Sequence, residues 1–190
     1  MVFAVVEGHL DGRLLKVLWR QLGLDEHPLQ VRDAGGSGFW LLASKYNEAG
    51  RHQRVIGLAD LEQAPCASAL MQQLKPSRSP GFKLRLAVRM LESWLLADRD
   101  AVAAFLGVRA AAIPREPDRE AHPKRALVDL ARTSRKRSIR EALVPNGSGA
   151  LVGPEYTAVI GSFIDVRWDA ARARTNSPSL DRACMRWTEA

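Results

Sequence analysis

At 190 residues, 46% hydrophobic and 26% charged, the chain is long enough to bury one core, too apolar to be disordered, and too short for a second independent catalytic domain. The 28 Lys and Arg against 21 Asp and Glu leave a net charge of +7, mostly as arginine, which favours a polyanionic partner; arginine-rich codon usage is the competing explanation. Two cysteines, Cys66 and Cys184, lie far apart without CxxC spacing, which argues against a zinc site or a disulfide framework and for a reducing cytoplasm.

The first element, "VFAVV" (2–6), is a continuous apolar run that reads as a strand buried on both faces, and the acid that follows comes too soon for a signal peptide or membrane span. "LDGRLLKVLWRQLG" carries Leu10, Leu14, Leu15, Leu18 and Leu22 at helical spacing and stops at Gly23. "HPLQVRD" (27–33) alternates, as an edge strand does, and "GFWLLASKYNEAG" is a second helix ending at Gly50. "RVIGLA" (54–59) is again a buried strand, "SALMQQL" a short helix after Pro65, and "FKLRLAV" (82–88) another alternating strand.

Strict alternation of this kind predicts an α/β fold: an open, mainly parallel four-stranded sheet with helices on both faces. From "MLESWLLA" onward the chain is helical in short, Pro- and Gly-punctuated pieces, among them "DAVAAFLG" behind an Asp98 cap. This places an α/β domain over 1–108 and a helical C-terminal extension over 109–190.

Ligands of open parallel sheets bind beyond the carboxyl ends of the strands, where successive connections leave on opposite faces. Glu7 follows the first strand, and Gly8 allows a tight exit; Asp60 and Glu62 follow the third, on the same side if the backbone stays extended. With strand order 2-1-3-4, Glu7 faces Asp60 and Glu62 across one strand spacing of roughly 5 Å. Carboxylates about 4 Å apart repel by roughly 4 kcal/mol at an effective dielectric near 20, so the cluster needs a cation or a shared proton. All-oxygen donors favour Mg²⁺, with Mn²⁺ as a substitute, and a purely structural pairing of the two acids with arginines is the alternative. Glu92, in a nearly all-apolar helix, either ligates the same ion or pairs with Arg89 three residues before it.

Two segments offer phosphate contacts, and Arg89 is a further candidate for positioning a nucleic-acid backbone. "DAGGSGF" (33–39) could present backbone amides at Gly35, Gly36 and Gly38, or serve only as a turn. "ARTSRKRSIRE" (131–141) gathers Arg132, Arg135, Lys136, Arg137 and Arg140 around a helix break, as a phosphate-binding or a merely solvated basic face. "VPNGSGALVGPEY" reads as a loop free to approach a ligand, and of the four histidines only His9 lies near the sheet rim.

"VVEGHLD", followed by a strand ending in an acid-x-acid pair, resembles the Toprim domain of topoisomerases, primases and overcoming-lysogenization-defect nucleases. "LADLEQAPC", "LAVRMLESWLLADRDAVAAFLGV", "PKRALVDLARTSRKRSIREALVP" and "GSGALVGPEY" are similar to a bacterial Toprim-like family of unknown function over nearly the whole chain. The resemblance implies a Toprim-like fold, a general acid or base at Glu7, and Mg²⁺ held by Asp60 and Glu62, with glutamate standing where a second aspartate is usual. It also implies a DNA- or RNA-cleaving nuclease, genomic company with an ABC-type ATPase, and a role in phage defence. Only Tyr46 and Tyr156 are available as tyrosine nucleophiles, in no recognisable context, which favours hydrolysis. The rival expectation is a non-catalytic Toprim-like subunit that docks on an ATPase and binds nucleic acid or nucleotide.

Overall fold

The two uninterrupted apolar runs form the central strands, β1 (Val2–Val6) and β3 (Val55–Asp60), and the two alternating runs form the edges, β2 (Leu29–Asp33) and β4 (Phe82–Ala87). The sheet order is β2-β1-β3-β4 and every neighbouring pair is parallel, in a computed structural model that describes residues 1–64, 66–72, 79–147 and 149–189. The open, four-stranded α/β architecture expected from the alternation is therefore present, and its sheet is wholly parallel.

Side-chain alternation divides the sheet between two cores. Val2, Ala4 and Val6 of β1 with Ile56 and Leu58 of β3 face one side, where α1 (His9–Gln21) supplies Leu14, Leu15 and Leu18. Val5, Val55, Ala59, Phe82, Leu84 and Leu86 face the other, covered by Phe39 and Ala43 of α2 (Phe39–Ala49). Gly57 lies on this second face. A Cβ there would stand 2.6 Å from Leu84 Cδ1 and 3.0 Å from the Phe82 ring, so only glycine lets both side chains lie flat across β3.

A short α3 (Ala67–Met71) precedes β4; the expected helix 68–74 runs on into residues outside those described. Then come α4 (Leu91–Ala97), α5 (Arg99–Leu106), α6 (Pro123–Arg132), α7 (Arg137–Leu143), α8 (Tyr156–Val166), α9 (Ala170–Arg174) and α10 (Pro178–Thr188). These helices extend the α1-side core without interruption: Trp94, Leu127, Ile160, Phe163, Leu180 and Trp187 belong to the same buried cluster as Val2 and Leu14.

Asp98 does not cap α5 with its side chain as expected. Its buried carboxylate instead accepts two bonds from Arg172, at 2.9 and 2.8 Å, and the Asp169 amide at 2.9 Å, joining α9 to the end of α4. On the β4 side, Lys83 Nζ donates to the Glu189 carbonyl and Arg54 to that of Trp187, whose indole donates back to the Lys83 carbonyl at 3.1 Å. Cations thereby satisfy the last carbonyls of α10, the end of a helix where positive charge is favoured. Among the described residues no helix is long and apolar enough to cross a membrane.

Replacing Gly57 with alanine should lower stability by about 1–3 kcal/mol, because the methyl group must displace two fully buried side chains. Urea denaturation of wild type and Gly57→Ala checks this, and equal midpoints would show that the Leu84 and Phe82 side chains yield without strain.

Candidate functional site

The acids gather at the carboxyl ends of β1 and β3, and backbone amides hold them there. The Asp60 amide donates to Glu7 Oε2 at 3.1 Å, tying the exit of β1 to the tip of β3. Asp60 Oδ1 accepts the amide of Leu91, the first residue of α4, at 2.9 Å. In the first turn of α1, Asp11 Oδ2 accepts the Gly8 amide at 3.0 Å. Asp11 is only 8% exposed, and its other oxygen, Oδ1, is buried without a hydrogen-bond partner. Glu92, 2% exposed in the first turn of α4, accepts the Tyr156 hydroxyl at 2.9 Å on Oε1, and Lys124 Nζ stands 3.5 Å from the same atom.

Burial and mutual repulsion act together on this group. Asp60 is pushed up to about 9, first by burial and then by the charges of Asp11, Glu92 and Glu7, against the opposing Leu91 amide. Asp11 is pushed up to about 7, by burial and then by Glu7 and Glu92. Glu7 is also raised: burial and Glu62 act upward, the Asp60 amide and Lys124 downward. Burial, then Glu92, raises the Tyr156 phenol, which stays a neutral hydrogen-bond donor.

Glu62 is placed differently from the alternation argument. The strand ends at Asp60, and Glu62 sits at φ 48°, a left-handed conformation uncommon for a residue with a Cβ, so Asp60 and Glu62 are not successive same-side positions of one strand. Its exposed side chain still bears on Glu7 electrostatically. The proposed Arg89–Glu92 pair is not formed. Arg89 donates to the carbonyls of Glu62 at 3.1 Å and Ala64 at 2.8 Å, pinning the turn after β3, while Glu92 turns to Tyr156 and Lys124 from the helical half.

Beside the carboxylates lies a cleft of about 770 Å³ between the rim and α6. Glu62, Arg89 and Met90 form one wall; Lys124, Arg125 and Arg132 bring positive charge to the other, where Asp129 stands 3.6 Å from Arg125 and 3.4 Å from Arg132, with Pro145 and Leu151 from the long loop. Of the basic run, Arg132 alone lines this cleft. Lys136 Nζ donates to the carbonyls of Ala104 at 2.7 Å and Phe105 at 2.9 Å, and Arg140 donates to the Ser134 carbonyl, so both serve the packing of helix ends. Arg137 pairs with Glu141 at 2.7 Å, and Arg135 is exposed.

The glycine segment is likewise engaged in its own turn. Gly36 donates its amide to the Glu7 carbonyl at 2.8 Å and Gly35 to Asp33 Oδ1 at 2.8 Å, so neither offers a free amide for phosphate; Gly38 ends a short 3₁₀ turn (Gly36–Gly38) before α2. Its structural product is the support of the Glu7 backbone. His9 opens α1 and is exposed, in a separate shallow groove with Lys16.

Asp11, Lys124 and Tyr156 escape a reading by strand ends. Asp11 had a local signal, an acid one helical turn after Glu7; Lys124 and Tyr156 had none, since only the packing of α6 on α4 and of α8 on α1 brings them to Glu92.

Among the described residues, no group of three His, Cys, Asp or Glu side chains is set, as it stands, to hold a metal ion. The donor chemistry nevertheless fits a hard divalent cation: every donor is oxygen, the carboxylates repel one another, and Asp11 Oδ1 is buried with nothing bound to it. Comparison of the chain with protein-family models, curated proteins and solved structures finds no match.

The raised carboxyls set a pH dependence. Asp60 in the folded chain keeps its proton up to about 9, whereas an unfolded aspartate releases it near 3.9, so its contribution to stability is complete below about pH 4 and is lost as pH rises through 9. Asp11 adds the same sign up to about 7. Thermal unfolding without divalent cations should therefore show a falling midpoint between about pH 5 and about pH 9, with a shallower fall in Asp60→Asn, which keeps the acceptor for Leu91. Equal slopes in the two proteins would place the titration elsewhere.

Proposed function

We propose that this chain is a Mg²⁺- or Mn²⁺-dependent phosphodiesterase that hydrolyses DNA or RNA. One observation carries the reading: Glu7, Asp11, Asp60 and Glu92 converge electrostatically on the carboxyl rim of the parallel sheet, beside a cleft walled by Arg89, Lys124, Arg125 and Arg132. Negative charge for a cation next to positive charge for phosphates is the pairing that phosphoryl transfer to water requires. The resemblance to Toprim nucleases, and the defence setting with an ABC-type ATPase that it implies, point the same way.

In this reading Glu7, Asp11 and Asp60 hold the ion, with Glu62 at the exposed mouth. The ion supplies polarisation of the phosphate and a bound water of lowered pKa. The chain's own groups do the rest. The Asp60 amide fixes Glu7 through Oε2, which leaves Oε1 to take a proton from the attacking water or return one to the leaving oxygen. Arg125 and Arg132 on α6 hold phosphates on the cleft wall, and Arg89 keeps the Glu62 turn in place. Tyr156 is not placed as a nucleophile, because its hydroxyl is buried and donated to Glu92, and Tyr46 packs against the α2-side core.

The second reading, a non-catalytic subunit of an ATPase that binds nucleic acid or nucleotide, draws on one specific feature: Glu92 is engaged by Tyr156 and Lys124, and among the described residues no three acids are grouped to hold an ion. Two measurements separate the readings. Isothermal titration with Mn²⁺ should give binding that Asp60→Asn weakens at least tenfold. Plasmid, single-stranded DNA and transfer RNA incubated in Mn²⁺ should be cut, and Glu7→Gln should slow cutting by roughly 10²–10⁴. Intact substrates in every lane, with and without a candidate ATPase, would favour the subunit.

A further inference from the structure

Lys124 is badly placed for its own helix. It is the second residue of α6, where the helix end is already positive and a cation is unfavourable. Its ammonium points instead to Glu92, at 3.5 Å from Oε1, while its side chain stays 36% exposed along the cleft. That separation is an ion pair too long for a good hydrogen bond, whereas Tyr156 holds the same oxygen at 2.9 Å. Lys124 is therefore the loose partner, and its charge also reaches Glu7. One half-exposed cation thus faces the cleft and the carboxylate cluster together.

We propose that Lys124 couples the two: with the cleft empty it neutralises Glu92, and a phosphodiester anion entering the cleft draws it away, so that the uncovered charge of Glu92 strengthens cation binding by the neighbouring acids. Tyr156 is the positioning residue that keeps Glu92 in place during the exchange. The inference rests on the cation site of the proposed function. By linkage the effect is reciprocal, so the cation must raise affinity for the anion by the same factor.

The test is titration of Mn²⁺ with and without a saturating phosphorothioate oligonucleotide, which resists hydrolysis, read as the ratio of the two cation affinities. Direct attraction between cation and anion contributes to that ratio in every variant, so the comparison is between proteins. Wild type should show a ratio on the order of tenfold. Lys124→Met and Glu92→Gln should each reduce it severalfold, the double variant no further, and Lys124→Arg should retain most of it. Glu92→Gln keeps the side-chain volume and an acceptor for Tyr156, so the answer does not depend on whether Lys124→Met folds. The same ratio in wild type, Lys124→Met and Glu92→Gln overturns the coupling. Cation binding that the oligonucleotide leaves unchanged overturns the coupling alone, whereas no cation binding by wild type overturns the proposed function with it.

Discussion

Placing several carboxylates in a half-buried rim is the constraint around which this molecule is arranged. Each acid brings a desolvation penalty and each worsens the position of the others, so the group persists only because backbone donors are aimed at it. The amide of Asp60 serves Glu7, the amide of Leu91 serves Asp60, and that of Gly8 serves Asp11. All three donors lie where a strand gives way to a loop or a helix, the places where amides lack ladder or helix partners. A parallel sheet whose strands all end on one rim supplies such amides side by side, and this is why the acids lie there and not along the strands.

The helical half completes that arrangement. Glu92 could not lie in an otherwise apolar helix without Tyr156, and Tyr156 reaches it because α8 packs on α1 and shares its core. The glycine turn after β2 works from the opposite side, fixing the backbone of Glu7 through Gly36. A segment that looks like a ligand loop thus holds Glu7 in place, and a helical region that looks like an appendage carries part of the electrostatic balance.

How much of this could be read from the residues follows from the range of each interaction. β1 and β3 were legible because a parallel strand covered on both faces must be apolar throughout, and β2 and β4 were legible as edges because they alternate. Glu7 and Asp60 followed from strand ends and strand order, both properties of the sheet as a whole. Glu62 was placed by an alternation rule that stops applying at Asp60, where the strand ends, two residues before Glu62. Glu92 was noticed but paired with the wrong partner, since Arg89 is near in sequence whereas Tyr156 and Lys124 are near only in the folded chain. Asp11 was readable in principle, as an acid one turn after Glu7, but nothing local shows that its second oxygen goes unpaired.

The basic excess illustrates the same distinction between count and location. Of the cations, Arg172 is bound to Asp98, Arg13 to Asp165, and Arg174 to Asp181, while Lys83, Arg54, Lys136 and Arg140 close helix ends or turns. A net charge of +7 is therefore not itself a footprint for a polyanion. What matters is that Lys124, Arg125 and Arg132 lie on one wall of one cleft, the two arginines sharing the single carboxylate of Asp129 at 3.6 and 3.4 Å, with the four acids beside it. Under the proposed function, opposite charges set side by side without fully neutralising one another suit a ligand that carries both signs, such as a phosphate accompanied by a divalent cation.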